Sequence, residues 1–267
     1  MNRRAIIATH HKAGTAWMKT TFREIAQRCR IWMVDAKRDG GYGPNECKAP
    51  AIIRLRNAQL WKYSGLTEGD DYRVFHLIRD PRDMMISAMH YHREANEKWL
   101  IAPRAEYAGL SYQKKLNGLP SDRERFHFEM ENTNAVGIVS RWQYGRKHCF
   151  ECKYEELMDD TEMMLFTQVV SHLGFAEEEL EICRSAFWNN SLFGGMAAGQ
   201  GSGPHIRSGV ARQWPGVFDR KLAAEFLARY GSVLIRAGYE KNNSWIDTLP
   251  AVSPALDGIV EPMAAAS

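Results

Sequence analysis

Ala5-Ile6-Ile7-Ala8-Thr9-His10-His11-Lys12-Ala13-Gly14-Thr15-Ala16-Trp17-Met18 is the stretch on which the fold turns. Ala5–Ala8 is a short continuous apolar run, consistent with a strand buried in a parallel sheet. From Thr15 the period changes. Met18, Phe22, Ile25, Ala26 and Cys29 fall at i, i+4, i+7, i+8 and i+11, which draws one apolar helical face. The chain therefore opens strand, turn, helix, with Lys12, Ala13, Gly14 and Thr15 in the turn.

Outward from this unit the pattern repeats. Val74–Ile78 reads as a second buried strand, and Asp80-Pro81-Arg82-Asp83 as a helix start, with Asp80 at the N-cap and Pro81 at N1. Ala51–Leu55 and Cys149–Tyr154 are further strand candidates. Helices are predicted around Thr161–Leu173 and Arg220–Ala237, stopped by Gly174 and Gly238. Alternating strands and helices predict an α/β fold with an open, mostly parallel sheet flanked by helices, whose ligands sit at the carboxyl ends of strands. Residues 93–135 are polar, aromatic-studded and less periodic, as a substrate-facing insertion would be. Gly194–Gly203 is expected to be a mobile loop. The expected organisation is one domain over residues 1–249 and a flexible tail over 250–267.

Composition narrows the class. The chain has 267 residues, 45% of them hydrophobic and 25% charged, enough to build a core without metal or disulfide staples. Thirty-five basic against 32 acidic side chains leave a net charge of +3, which gives no global basic field for nucleic acid. Five scattered cysteines suit a reducing compartment, and no apolar run approaches the ~18 residues of a membrane span. The first residues lack the apolar run of a secretory signal, so a cytoplasmic location is expected. Cys149-x-x-Cys152 is a lone pair on a predicted strand, where residues three apart face opposite sides. No metal site is expected.

Two clusters carry chemistry. Backbone N–H groups at a helix N-terminus, a small Gly14 and a nearby Lys12 together make an anion cradle. The order differs from the Walker A loop, because Lys12 precedes Gly14 and no second glycine lies five residues upstream. A plain turn with one exposed lysine is the competing reading. Arg79 follows the second strand and Ser87 lies two turns into the next helix, an arrangement suited to a second phosphate. Pairing of Arg79 with a helix carboxylate is the alternative there.

Lys12-Ala13-Gly14-Thr15-Ala16-Trp17 resembles the 5′-phosphosulfate loop of the sulfotransferases that use 3′-phosphoadenosine 5′-phosphosulfate (PAPS), commonly Tyr-Pro-Lys-Ser-Gly-Thr-Thr-Trp. Arg79 and Ser87 keep the spacing of that family's 3′-phosphate motif, with Asp80 in its Asn position. Arg207-Ser208-Gly209 with Gln213-Trp214 is similar to a third segment, and Tyr154-Glu155-Glu156-Leu157 to a fourth. The four arrive in family order across roughly residues 5–245. The resemblance implies a P-loop-like nucleotide site. In it Lys12 contacts the bridging oxygen and 5′-phosphate, and Ala13, Gly14, Thr15 and Ala16 hold that phosphate. It implies Trp17 stacked on adenine with Tyr154, Ser191 and Phe193 near the base edge. Arg79, Ser87, Arg207, Ser208 and Gly209 then take the 3′-phosphate.

The implied reaction is sulfuryl transfer from PAPS to a hydroxyl or amine of a small-molecule or carbohydrate acceptor, releasing 3′-phosphoadenosine 5′-phosphate (PAP), with no metal. The alternatives are a nucleotide kinase-like phosphotransferase and a non-catalytic nucleotide-binding module. A departure from the family is the strand segment that carries its general base: the counterpart here is Arg54-Leu55-Arg56, and arginine does not accept a proton at neutral pH. His11, beside Lys12, is the favoured replacement, with His90 the alternative and His92 or Glu94 behind it. Oligomeric state stays open, a homodimer included.

Overall fold

A computed structural model describes residues 4–36, 47–55, 58, 72–196 and 209–257. The strands are β1 (Arg4–Thr9), β2 (Trp32–Asp35), β3 (Ala51–Leu55), β4 (Tyr72–Ile78) and β5 (Cys149–Lys153). The first helices are α1 (Thr15–Arg28), α2 (Pro81–Glu94), α3 (Lys98–Ile101), α4 (Tyr112–Asn117), α5 (Asp122–Asn132) and α6 (Ala135–Ser140). After β5 come α7 (Tyr154–Met158), α8 (Met164–His172), α9 (Glu177–Asn189), α10 (Trp214–Val217), α11 (Arg220–Tyr230), α12 (Val233–Arg236) and α13 (Pro254–Asp257).

The described chain divides into two compact units, one of residues 1–80 and 137–211, the other of 81–136 and 212–267. The first holds an open five-stranded sheet in the order β2-β3-β1-β4-β5, with every pair parallel. The α/β class read from the strand–helix alternation is therefore observed. Alternation of side chains sorts the strands into two cores. Ala5, Ile7, Ile52, Phe75 and Leu77 join Met18, Phe22, Phe166 and Phe187 on one face, while Ile6, Ala8, Ile53, Leu55 and Val74 join Trp142 on the other. Cys149 packs with the second cluster and Cys152 with the first, so the CxxC pair straddles the sheet, and all five cysteines are free.

The second unit is helical. His92 and Glu129 are both buried in it, 2.8 Å apart, among Tyr91, Tyr112 and Trp99. That pairing holds the His92 ring inside the helical unit. Arg82, also buried, lies 3.5 Å from the ring centre of Trp214 and 4.6 Å from that of Trp245, and forms an ion pair with Glu240 at 2.7 Å.

Several boundaries differ from the sequence reading. Residues 93–135, which show little periodicity, contain α3, α4 and α5 within the second unit. The helix predicted from Thr161 begins at Met164, because the Asp160 carboxylate accepts from the N–H groups of Leu165 and Phe166 at 3.0 and 2.8 Å. The long helix predicted over 220–237 is two helices, broken where Gly231 takes φ 54°. Of the tail, residues 250–257 are described: Pro254–Asp257 is helical and Leu256 is buried. Gly194–Met196 form a turn, and the rest of that glycine-rich segment lies outside the described residues.

Candidate active site at the carboxyl ends of β1 and β4

The chain leaves β1 through α1 toward the β2 edge, whereas beyond β4 it leads to β5 on the opposite edge. Between β1 and β4 the strand order therefore reverses, and crevices at such points are where open α/β sheets bind ligands. The turn Thr9–Gly14 occupies this place. Lys12 and Gly14 both adopt left-handed backbone, at φ 63° and 79°. At Gly14 the conformation and the space both demand glycine: an added Cβ would stand 3.0 Å from Tyr154 Cδ2 and 3.1 Å from Leu77 Cδ2.

Gly14 is the N-cap of α1, whose end carries no side-chain cap and no acidic residue in its first turn. The positive end of the helix dipole thus meets no compensating carboxylate from its own first turn. Lys12 is half-buried beside it. Arg79, at the end of β4, donates through Nη1 to the Lys12 carbonyl at 3.2 Å and stacks 4.7 Å from the Tyr154 ring centre. A guanidinium donating into the turn, a helix N-terminus and a left-handed turn that carries a lysine lie together, which suits a phosphate or sulfate ester.

Other predicted residues take more specific places. The Thr15 hydroxyl donates to the His10 carbonyl at 2.8 Å, so it accepts from Thr9 Oγ1 at 2.9 Å. Ala13 is buried and its N–H donates to the same carbonyl at 3.1 Å, while Ala16 is exposed. Trp17 stacks on Phe187 at 5.2 Å and meets Tyr154 edge-on at 5.8 Å. Phe193 lies edge-on to Phe187 at 5.8 Å. Ser191 is buried and its hydroxyl donates to the Phe187 carbonyl at 2.6 Å. Gly209, at φ 64°, lies against Leu192. Trp17, Phe193 and Ser191 thus contact Phe187, and Tyr154 joins them through Trp17, while Gly209 lies by Leu192; sequence reasoning passed over Phe187 and Leu192. Arg207 and Ser208 lie outside the described residues, as does Arg56. Arg54 is paired with Asp35 at 2.5 Å. Ser87 and His90 are on α2 in the second unit, and both are half-buried, as is His11 in the first.

The sequence reading also passed over a buried chain of imidazoles. His10 Nε2 lies 2.7 Å from His76 Nε2, and His76 Nδ1 lies 2.5 Å from Glu151 Oε2. His76 on β4 pairs in register with Glu151 on β5, and its ring stacks on Trp142 at 3.8 Å. Trp142 Nε1 donates to the other oxygen of Glu151 at 3.0 Å. Burial, then the facing His76, hold His10 well below the ordinary histidine range. Burial lowers His76 as well, with the Glu151 carboxylate acting in the opposite sense. The sequence signal was His76 itself, a polar residue inside the apolar run Val74–Ile78.

These shifts set a pH dependence of stability. A histidine whose folded-state pKa is depressed takes up protons more readily when unfolded, so its contribution is full above the ordinary range near 6.5 and is lost as pH falls. Thermal melts between pH 7 and pH 5 are expected to show a falling transition in the wild type and a shallower fall in His10→Gln. Equal slopes would contradict the neutral buried state of His10.

No family model matches the chain, and no curated protein does. Among solved structures it is similar to the mouse sulfotransferase SULT7A1 complexed with PAP. The two share 13% identity over 87% of this chain and 84% of that one, with a TM-score of 0.45. It is also similar to retinol dehydratase in complex with androsterone and the inactive cofactor PAP, at 14% identity over 86% of this chain and 80% of that one, with a TM-score of 0.47. Among the described residues, no group of three His, Cys, Asp or Glu side chains is placed to hold a metal ion, and no helix is long and apolar enough to cross a membrane.

Proposed function

We propose that this chain is a sulfotransferase that moves a sulfuryl group from PAPS to a hydroxyl or amine of a small-molecule or carbohydrate acceptor. The observation that carries the reading is the turn between β1 and α1. Lys12, Gly14 and the uncapped helix end sit at the strand-order reversal, tied to β4 by Arg79. A phosphosulfate fits that turn chemically, because its donors are cationic or backbone N–H and its first helical turn offers no competing acid.

PAPS supplies an activated sulfuryl group on a phosphate leaving group; the protein's part is to bind, orient and stabilise charge. Lys12 and the N–H groups at the start of α1 hold the 5′-phosphate end and meet the negative charge that grows there as the bond to sulfur breaks. Trp17 and Tyr154 offer aromatic surface to adenine, with Ser191 and Phe193 alongside. Arg79 offers the bidentate guanidinium suited to a 3′-phosphate, and Ser87, Arg207, Ser208 and Gly209 belong to the same assignment. Remote binding of that phosphate positions the reacting end. A location in the cytoplasm and a small or carbohydrate acceptor complete the proposal.

Selectivity for the 3′-phosphate is the direct test. PAP is expected to raise the melting temperature well above the shift given by AMP or ATP, since a ligand that binds only the folded state stabilises by mass action. Arg79→Ala is expected to bring the PAP shift down to that of AMP. Equal shifts for PAP and AMP in the wild type would remove the donor assignment and leave a general nucleotide-binding module.

A further inference from the structure

We infer that His10, backed by His76 and Glu151, is the base that takes the acceptor's proton; the inference rests on the sulfotransferase reading above. The arrangement fixes where each proton sits. Glu151 presents a carboxylate oxygen 2.5 Å from His76 Nδ1, so this nitrogen carries the hydrogen. A neutral His76 then has a lone pair on Nε2, and the 2.7 Å contact requires His10 Nε2 to donate to it. His10 Nδ1 is left with its own lone pair. That atom is buried and has no hydrogen-bond partner among the described residues, on a side chain only 1% exposed.

A buried acceptor without a donor is unfavourable, and a proton is what such a lone pair can take. His10 belongs to the same turn as Lys12, and its carbonyl is fixed by the Ala13 N–H and the Thr15 hydroxyl. When the acceptor O–H bond breaks, its electron pair stays on oxygen and forms the new bond to sulfur. The bridging sulfur–oxygen bond breaks in turn, leaving its pair on the phosphate. The proton goes to His10 Nδ1, and the Nε2 proton of His10 passes to His76 Nε2. The positive charge then rests on His76, against the Glu151 carboxylate that Trp142 holds in place. Glu151 faces the pair, with the Trp142 ring stacked on His76 and the Tyr144 ring 6.1 Å from it. The carboxylate is thus the stabilising charge for the imidazolium. His10 is the residue that takes the acceptor's proton in this proposal; His76 and Glu151 are positioning residues that act through it.

The tautomers are readable without turnover. In wild-type protein labelled with ¹⁵N-histidine, NMR at neutral pH is expected to show His10 with an unprotonated Nδ1 and a protonated Nε2, and His76 with a protonated Nδ1. A protonated Nδ1 on His10 overturns the assignment, and this measurement decides the matter even if a variant fails to fold. Kinetics come second, following PAP release from PAPS with a library of aliphatic alcohols, sugars and amines. His10→Gln is expected to lower kcat about 10²-fold or more, with the PAP-induced melting shift retained. Glu151→Gln is expected to lower kcat and move the acidic limb of the pH profile to lower pH, because the charge that favours the imidazolium is gone. A merely structural Glu151 would leave that midpoint in place. Wild-type protein inactive with the whole library overturns the sulfotransferase reading and this inference together. Turnover with His10→Gln at the wild-type rate, or a loss confined to His11→Ala, overturns this inference alone.

Discussion

Lys12→Ala is expected to lower turnover by about 10²-fold or more while PAP affinity falls by a much smaller factor. Lys12 stands in a left-handed turn at the end of the central strand β1, two residues before Gly14, the N-cap of α1. In the proposed function, much of the 5′-phosphate binding would come from backbone N–H groups that the substitution leaves in place. In the proposed reaction, what the variant would lose is stabilisation of charge that appears on the leaving phosphate only as the sulfur–oxygen bond breaks, so the effect is expected on kcat. Single-turnover PAP release alongside calorimetric PAP binding separates the two. A variant that loses binding and turnover in equal proportion would make Lys12 a general anchor for the nucleotide, and unchanged turnover would reduce the turn to a structural element. Lys12→Arg keeps the charge but changes its shape and reach, and is expected to fall between the two.

The contrast between this turn and the imidazole chain shows what a linear reading captures. β1 and β4 are central parallel strands, apolar on both faces, so their runs stand out in the sequence. Lys12 to Trp17 lie together in the chain, and their spacing is itself the motif. β2 is a four-residue edge strand with Trp32 49% exposed, and its apolar residues Ile31–Val34 follow the end of α1 at Arg28 after only two positions, so no turn residue such as Gly or Pro marks them off as a strand. His10, His76 and Glu151 are brought together only by the pairing of β1 with β4 and of β4 with β5, across 66 and 75 positions of sequence. Spacing carries no trace of that. The helices over 93–135 escaped notice for another reason: α5 buries Arg125 and Glu129 as well as Phe126 and Phe128, so polar residues interrupt its apolar stripe.

Phe187→Ala is expected to cost about 3–5 kcal/mol of stability, as large-to-small changes at fully buried aromatics do. Phe187 is inaccessible to solvent, stacks face to face on Phe166 at 4.0 Å and on Trp17 at 5.2 Å, and its carbonyl accepts from Ser191. Removing the ring opens a cavity between α1, α8 and α9 that backbone hydrogen bonds hold open. Urea unfolding is expected to show a midpoint shifted down at nearly constant slope. Phe187→Leu fills most of that space and is expected to cost less. The site should register the change as well. Trp17 keeps its edge contact with Tyr154 but loses the ring that fixes its plane. PAP affinity is therefore expected to fall in Phe187→Ala under conditions where the variant is still folded, with Phe187→Leu in between. Retention of full PAP affinity in a destabilised but folded Phe187→Ala would separate the aromatic wall from the adenine and confine Trp17 to the core of the sheet's first face. A wild-type midpoint would contradict the packing itself.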